Sequence, residues 1–364
     1  MNPPIVDAPD HGQLPVVGMI GAGQLARMTH QAAIALGQSL RVLATARDDP
    51  AAQVCPDVRF GRPTDFVPLR AFAKGCSVVT LDHEQVPQNA LQMLVEEGVP
   101  VHPRPDALVF AQDKLQMRVR LAGLGLAVPE FATVHEPEDE VEFAADHGWP
   151  VVLKAVRGGY DGRGVWMLDG PDPELVGRLL AANTPLMVER VVRMRRELAA
   201  LVGRSPFGQA AAWPVVETVQ ERGQCVQVLA PAPGLSEEAA LGAQQLALRI
   251  AAALEVTGLL AVELFETPDG AMVVNELAMR PHNSGHWTIE GSRTSQFEQH
   301  LRAVLDYPMG DTSLAAPAVV MANVLGGEPG GISIDERLHH LFATDPGAKV
   351  HLYGKQVRPG RKIG

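Results

Sequence analysis

Two glutamates, Glu263 and Glu276, carry the clearest chemical signal in the sequence, because the pattern around them predicts that both lie on one β-hairpin. Apolar side chains alternate with other residues along 260–265 with the period of two that is typical of a strand. Thr267–Gly270 supplies the proline and glycine that a turn needs, and the chain then returns. A symmetric turn sets Glu263 opposite Val274 and Glu276 at the diagonal position on the same face, about 7–8 Å away.

This pair of carboxylates needs a positive partner. Two carboxylates on a mostly apolar hairpin repel one another, and magnesium carrying nucleotide phosphates is a natural cation to lie between them. An arbitrary pair of strand glutamates is more often solvated. Here, however, a basic and imidazole-bearing segment, Arg280–His286, follows almost at once, and this favours a functional site.

Composition excludes several classes of protein. The 364 residues predict two or three domains, and 46% hydrophobic with 20% charged residues is ordinary for a globular protein. A net charge of -11 argues against a general nucleic-acid binder, although local basic clusters can still bind a phosphorylated small molecule. The three cysteines form no CxxC pair, no apolar run is long enough to span a membrane, and no signal-peptide core precedes Leu14. A reduced, cytoplasmic location is therefore expected.

The first part of the chain reads as alternating strands and helices, which predicts a doubly wound parallel sheet over residues 1–105. Strands are expected over 15–20, 40–46 and 77–82, with a further short strand around 99–103. The turn Gly21–Ala26 matches the G-x-G-x-x-A pattern of nicotinamide cofactor sites. The second strand lacks the acidic residue that would hold a ribose, so a tight turn without a dinucleotide is favoured.

A second informative segment has the sequence PVVLKAVRGGYDGRGVWML. It predicts a strand carrying Lys154, a loop over 157–164 with four glycines, and a returning strand. The pattern differs from a Walker A loop, which ends in GK[ST] before a helix. Such a hairpin can close over phosphates as a lid, or it can be a flexible surface hairpin, and the residues alone leave both open.

The other elements are predicted from periodicity and end signals. A helix is expected over 112–125, a strand at 185–192 that carries Glu189, and a long helix after the N-cap Ser236. In the C-terminal region, strands are expected over 318–326 and 348–353, with a short helix near 335–343.

Taken together, these motifs follow the order found in ATP-grasp ligases. The segments GAGQLARM, GGYDGRG and NELAMRPHNSGHWT resemble the 5-(carboxyamino)imidazole ribonucleotide synthase family in particular, and the resemblance covers essentially the whole chain. It implies an α/β fold, α+β in its central part. The implied domains are a pre-ATP-grasp domain over 1–105, an ATP-grasp domain over 106–306 with lobes at 106–184 and 185–306, and a C-terminal domain over 307–364.

The resemblance also implies an activity. ATP phosphorylates bicarbonate to carboxyphosphate, and the exocyclic amine of 5-aminoimidazole ribonucleotide is then carboxylated. The implied cofactor is Mg²⁺, with Mn²⁺ as an alternative. The implied partners are the ribonucleotide, bicarbonate and ATP, with no nucleic acid or membrane, and the usual assembly of relatives is a homodimer.

Residue roles follow from the same resemblance. Lys154 and Lys114 neutralise the ATP phosphates, Glu189 faces the adenine amino group and Glu197 holds the ribose. The full implied ATP site comprises Lys114, Lys154, Gly159, Tyr160, Asp161, Gly162, Arg163, Gly164, Glu189, Arg190, Val191, Val192, Glu197, Gln220, Asn275 and Glu276. Glu263 and Glu276 bind the metal. Arg280, His282 and Asn283 are the implied catalytic residues. The ribonucleotide is expected to contact Tyr160, Asp161, Arg163, Arg280, Lys355, Arg361 and Lys362.

The sequence departs from the family pattern at two places. Gln220 stands where the family usually has a histidine, so that contact can donate a hydrogen bond but carries no charge. Relatives also continue a few residues past the segment that here ends at Gly364, and the last phosphate-binding strand is therefore expected to be incomplete or frayed.

Three rival functions differ in what they bind. Another ATP-grasp ligase, such as formate-dependent glycinamide ribonucleotide transformylase or a biotin carboxylase, would share the metal and lid but take a different acceptor. A nicotinamide-dependent oxidoreductase would use the Gly21–Ala26 turn and hydrolyse no ATP. A non-catalytic ATP-grasp-like scaffold would not need to keep Lys154, Glu263 and Glu276.

Overall fold

Three β-sheets organise the molecule. The computed structural model describes residues 14–159, 164–328 and 330–364, and this part of the chain contains two four-stranded sheets and one seven-stranded sheet. Within those ranges, no helix is both long and apolar enough to cross a membrane.

The first sheet confirms the predicted doubly wound parallel arrangement. Its strands β1 to β4 are all parallel, in the order β3-β2-β1-β4. The strands are Val16–Ile20, Ser39–Ala44, Asp57–Phe60 and Val78–Leu81, and the helices α1 to α3 are Gln24–Ala35, Phe66–Ala73 and Gln88–Glu96. Every residue of β1 is buried, because helices cover a parallel sheet on both faces. The short strand expected around 99–103 makes only one bridge, between Val79 and Val101.

The glycine turn before α1 is occupied by a side chain of the protein itself. The two carboxylate oxygens of Asp82 accept hydrogen bonds from the Gly23 and Ala26 amides, at 2.7 and 2.8 Å. A Cβ at Gly23 would lie 2.4 Å from Asp82 Oδ2, so glycine is required there. Asp82 thus takes a position at the helix N-terminus where a pyrophosphate would bind. This arrangement supports the interpretation as a tight turn without a dinucleotide.

The second sheet belongs to a smaller lobe and is antiparallel. Its order is β5-β8-β6-β7. The elements of this region are α4 Pro105–Gln112, α5 Lys114–Gly123, β5 Phe131–Val134, α6 Glu138–His147, β6 Val151–Ala155, β7 Val165–Leu168, α7 Pro173–Ala181 and β8 Leu186–Arg190. The helix expected over 112–125 is shorter than predicted, because Asp113 caps α5 by accepting a hydrogen bond from the Gln116 amide.

The third sheet forms the large lobe. Its order is β14-β13-β9-β11-β12-β15, with β10 also paired to β9. The elements are β9 Arg196–Arg204, β10 Ala210–Ala212, β11 Val216–Glu221, β12 Gln224–Ala230, α8 Glu237–Ala253, β13 Gly258–Glu266, β14 Met272–Ala278, a 3₁₀ turn Asn283–Gly285, α9 Thr288–Gly291, α10 Gln296–Val304 and β15 Val319–Ala322. Ser236 caps α8 as predicted, accepting from the Ala239 amide.

The C-terminal region attaches to the edge of the large sheet. Strand β15 pairs with β12, and helix α11, Ile334–Thr344, begins with a capping box between Ser333 and Glu336. The strand predicted over 348–353 is wrong, since no ladder forms there. Tyr353 instead donates its amide to the Ile363 carbonyl at 2.9 Å. The Val324 amide in turn donates to the Gly364 carbonyl at 2.8 Å, so these last residues are held and not frayed.

Candidate active site

The site lies where one face of the large sheet changes from apolar to acidic. In the middle of this face, Leu201, Val228 and Ala261 pack in a buried cluster. Residues on the same side of the neighbouring strands towards one end are polar. They are Glu197 on β9, Gln220 on β11, Glu263 on β13 and Glu276 on β14. Strand pairing therefore gathers four residues that are separated by up to 79 positions into one patch.

The two hairpin glutamates are closer than the symmetric turn predicted. Leu264 pairs with Val274, the register then shifts, and Glu263 pairs directly with Glu276. The predicted partner Val274 is thus wrong, because Asn275 is an extra residue that forms a bulge. Directly opposed residues have Cβ atoms roughly 4.5–5.5 Å apart, which strengthens the repulsion between the carboxylates.

Burial and like charge act together on Glu263. Burial first, and then the neighbouring Glu276 and Glu197, raise the pKa of the Glu263 carboxyl to about 8. Glu276 has Lys114 at 3.4 Å, measured between Nζ and Oε1. In the described part of the chain, no three His, Cys, Asp or Glu side chains cluster to hold a metal unaided. Two carboxylates fit Mg²⁺ well, because this ion takes one or two carboxylates and completes its shell with phosphate and water.

The small lobe contributes a buried charge cluster opposite this face. The Lys154 ammonium lies 2.6 Å from Glu189 Oε2, and Arg118 Nε lies 2.6 Å from Glu189 Oε1. Burial alone would raise the pKa of Glu189, but these two cations hold it below the ordinary value. Lys154 Nζ also donates to Asn275 Oδ1 at 3.5 Å, so it reaches across to the large lobe. The cluster therefore holds its charged groups in fixed positions beside the acidic face of the large sheet.

Gln220 contacts Glu197, the residue that is predicted to hold the ribose. Its side chain is hydrogen-bonded to Glu197, and burial raises the pKa of that carboxyl more than this bond lowers it. A neutral glutamine in place of histidine therefore keeps a hydrogen bond within the patch and adds no charge to it.

The segment after β14 brings Arg280 and His282 to the carboxylate pair. Arg280 Nε lies 2.5 Å from Glu84 Oε2, and this acidic partner raises the pKa of the guanidinium despite its burial. Burial and then Arg280 hold the pKa of His282 well below its usual value, so its imidazole is neutral. Its Nδ1 lies 3.4 Å from the Ser284 amide nitrogen and 2.8 Å from the Ser284 hydroxyl, and its Nε2 lies 3.5 Å from Glu263 Oε1.

Gln296, on α10, holds the backbone of this segment in place. This buried amide accepts from the His282 amide at 2.9 Å and donates to the His282 carbonyl at 2.8 Å. Asn283 forms a reciprocal amide pair with Asn323, with both distances 2.8 Å. Asn283 thus joins the segment to the C-terminal region, and its implied catalytic role remains a prediction.

The predicted C-terminal cations are placed unequally. Lys362 is half-buried and near enough to lower the pKa of His282 and His286. Lys355 Nζ lies 5.5 Å from the centroid of the Tyr353 ring. Arg361 is exposed and donates to the Gln356 carbonyl at 3.4 Å.

The predicted glycine hairpin is confirmed around its loop, since β6 and β7 pair antiparallel. Gly159 and Gly164 have φ of +81° and +74°, which side chains rarely adopt. The predicted contacts Tyr160, Asp161, Gly162 and Arg163 lie outside the described residues. Beyond β8, Val191 and Val192 are half-buried, while the side chain of Arg190 pairs with Glu130 at 2.8 Å.

Several residues of the site were missed by the sequence reasoning. They are Glu84, Arg118, Gln296 and Asn323. Each contacts a predicted residue that is distant in the sequence, by 40 positions for Asn323 and 196 for Glu84. Only Arg118 carried a local signal, as a cation on the apolar face of a helix beside Met117 and Leu121, both buried.

Three family models match the chain in succession. They are the ribonucleotide synthetase preATP-grasp domain over 14–112, the ATP-grasp domain over 119–297 and the phosphoribosylaminoimidazole carboxylase C-terminal domain over 319–364. An N5-carboxyaminoimidazole ribonucleotide synthase of Mycobacterium tuberculosis is 63% identical over 353 residues, which cover 96% of this chain and 82% of that protein. The protein of that name from Corynebacterium ammoniagenes is 50% identical over 357 residues, covering 96% and 86%.

Solved structures agree with these relatives. The ADP complex of an N5-carboxyaminoimidazole ribonucleotide synthetase superposes with a TM-score of 0.88 at 34% identity, covering 96% of this chain and 92% of that one. The synthase of Aspergillus clavatus in complex with ADP and 5-aminoimidazole ribonucleotide gives 0.86 at 32% identity, with the same coverage.

Proposed function

Since the chain belongs to the N5-carboxyaminoimidazole ribonucleotide synthase family of ATP-grasp ligases, we propose that it uses ATP to carboxylate 5-aminoimidazole ribonucleotide with bicarbonate in purine biosynthesis. The observation that carries this proposal is the bulged Glu263–Glu276 pair with cations around it. Lys114 contacts Glu276, Arg280 lies close enough to lower the pKa of Glu263, and Lys154 bonds to the bulge residue Asn275. Carboxylates that can hold a metal ion, with cations around them, suit a nucleoside triphosphate and a small anion bound side by side.

The proposed reaction begins at the γ-phosphate. A bicarbonate oxygen attacks the γ-phosphorus, ADP leaves, and carboxyphosphate forms. Its breakdown releases phosphate and gives CO₂, which bonds to the exocyclic amine of the ribonucleotide as that amine loses a proton. Mg²⁺ held by Glu263 and Glu276 would counter the negative charge that develops on the phosphates.

The protein side chains have distinct proposed parts in this reaction. Lys154 and Lys114 place cations beside the phosphates, and each is already near a carboxylate that fixes its position. Arg280, oriented by Glu84, faces the reacting phosphate and bicarbonate. Neutral His282 offers its Nε2 proton to an oxygen beside Glu263, and so acts as a hydrogen-bond donor and not as a charge.

Measuring ADP release tests this function. With ATP, Mg²⁺ and bicarbonate, adding 5-aminoimidazole ribonucleotide should stimulate ADP release strongly and consume the amine. Glycinamide ribonucleotide with formate serves as the rival acceptor pair. The proposed substrate would be rejected if that pair stimulated ADP release, or if 5-aminoimidazole ribonucleotide did not.

The magnesium requirement is expected to fall as the pH rises. Because the pKa of the Glu263 carboxyl is about 8, metal binding at lower pH must displace a proton. The Mg²⁺ concentration for half-maximal ADP release should drop by up to about tenfold per pH unit below the pKa and level off above it. Magnesium titrations at several pH values measure this, and a pH-independent midpoint would show that Glu263 is not a ligand.

The C-terminal cations are proposed to grip the phosphate of the ribonucleotide. Loss of one charge-assisted hydrogen bond typically costs about ten- to a hundredfold in affinity. Lys355→Ala and Arg361→Ala should therefore raise the KM for the ribonucleotide by about this factor and leave that for ATP nearly unchanged.

The matched control for these variants is Arg358→Ala, an exposed cation between the two positions. The KM values for ATP and for the ribonucleotide, measured in all three variants, test whether the C-terminal cations bind the ribonucleotide. Equal effects on ATP and ribonucleotide, or none on either, would remove these residues from the site.

A cytoplasmic homodimer completes the proposal. Its support is the family membership, and light scattering of the purified protein measures the assembly directly.

A further inference from the structure

Arg118 is a buried cation that joins the two lobes of the site. Its side chain on α5 has no exposed surface. Its Nε donates to Glu189 Oε1 on β8 at 2.6 Å, and its Nη1 donates to the Asn275 carbonyl on β14 at 2.6 Å. One planar guanidinium thus spans the small sheet and the large sheet at the point where both approach the proposed nucleotide.

Both partners of Arg118 are placed where geometry matters. Glu189, which is proposed to face adenine, also holds Lys154, which is proposed to face the phosphates. Arg118 therefore anchors the carboxylate directly and the lysine through it. Asn275 is the bulge residue between Val274 and Glu276, so the carbonyl that Arg118 holds lies directly before one member of the proposed metal-binding pair. Fixing the distance from Glu189 to Asn275 therefore fixes the distance between the adenine side and the metal side.

Stability alone explains this arrangement poorly. Burying a guanidinium carries a large desolvation penalty. Apolar side chains of similar volume often stabilise a fold as much as a buried ion pair does, or more. The third nitrogen, Nη2, makes no hydrogen bond within the described residues, so part of the desolvation cost is not offset. The compensation is geometric, because the planar guanidinium donates to its two partners from two nitrogens held at a fixed separation.

We propose that Arg118 is a positioning residue for ATP, which sets the spacing between Glu189 and the Asn275–Glu276 segment across the two lobes. This inference rests on the proposed function, because it assigns ATP to the space between the lobes. It predicts that Arg118 affects nucleotide binding far more than ribonucleotide binding, although it need not touch either substrate.

The test compares Arg118→Met and Arg118→Lys with Arg120→Met. Arg120 lies on the same helix, is exposed and donates to the Ala253 carbonyl, so its variant removes the same charge outside the site. Arg118→Met should raise the KM for ATP and the Kd for ADP by about ten- to a hundredfold, and change the KM for the ribonucleotide less than about twofold. Arg118→Lys should raise the ATP constants several-fold, because an ammonium donates from one nitrogen, whereas Arg118 reaches its two partners from two separate nitrogens, Nε and Nη1. Arg120→Met should match the wild type.

The outcomes separate the inference from the function it rests on. Absence of ribonucleotide-stimulated ADP release in the wild type would reject the function itself. With an active wild type, ATP constants in Arg118→Met within about twofold of Arg120→Met would overturn the inference. If Arg118→Met does not fold, Arg118→Lys decides. Arg118 would have a purely structural part if Arg118→Lys left the ATP constants unchanged or raised the constants for both substrates equally. The same conclusion would follow if Arg118→Lys also failed to fold.

Discussion

Glu276→Gln and Glu263→Gln are each expected to lower kcat by at least about a hundredfold, because a bound metal supplies several kcal/mol of transition-state charge stabilisation. The two carboxylates are directly paired across the bulge, and each substitution removes one anionic oxygen ligand from a hard cation. The loss should appear mainly in kcat and should shift the Mg²⁺ titration to higher concentrations. Steady-state ADP release over a range of Mg²⁺ measures both.

Asp269→Asn is the matched control for this prediction, since it removes a carboxylate from the exposed turn of the same hairpin. A fold defect is not expected in Glu263→Gln. The pKa of Glu263 is raised in the folded protein, so the folded state binds more protons and loses stability as the pH rises towards about 8. Glutamine removes that penalty, and the Tm without metal should be no lower than that of the wild type at pH 8. Near-normal turnover in either variant at modest Mg²⁺ would remove the pair from the metal site.

Arg280→Met is expected to lower kcat on the order of a thousandfold, the scale on which a transition-state arginine acts in phosphoryl transfer. The guanidinium is oriented by Glu84 and lies in the same segment as His282, beside the carboxylate pair. Arg280→Lys should recover little, because an ammonium lacks the planar fork that engages two oxygens. Single-turnover rates of phosphoryl transfer separate this effect from substrate binding.

Arg293→Met provides the comparison for Arg280. Arg293 lies thirteen residues further on, is exposed and pairs with Asp311 at 3.5 Å. Its variant should behave as the wild type. An Arg280→Lys enzyme that keeps more than about a tenth of the wild-type rate would show that Arg280 does not face the reacting phosphate.

Local patterns predicted the elements of the site well. Period-two alternation identified β13 and β14, and an N-cap serine located the start of α8. The motif order led to the family because GGYDGRG and NELAMRPHNSGHWT both occur in the one chain. These signals are short in sequence, and the sequence alone is enough to read them.

What the sequence could not predict depends on long-range contacts. The bulge at Asn275 shifted the partner of Glu263 from Val274 to Glu276, and turn chemistry does not specify such an insertion. The pairing of Arg280 with Glu84 joins residues 196 positions apart. The strand expected over 348–353 fails for a related reason, since Tyr353 bonds to Ile363 in an irregular chain-end contact and not in a ladder.

The origin of the oxygen in the released phosphate tests the central claim most directly. With ¹⁸O-labelled bicarbonate, ATP and 5-aminoimidazole ribonucleotide, attack of a bicarbonate oxygen on the γ-phosphorus transfers that oxygen to phosphate when carboxyphosphate breaks down. Mass spectrometry of the phosphate should show one ¹⁸O atom per molecule formed, corrected for exchange of bicarbonate with water. Phosphate whose fourth oxygen comes from solvent and not from bicarbonate, released while the ribonucleotide is carboxylated, would contradict the account.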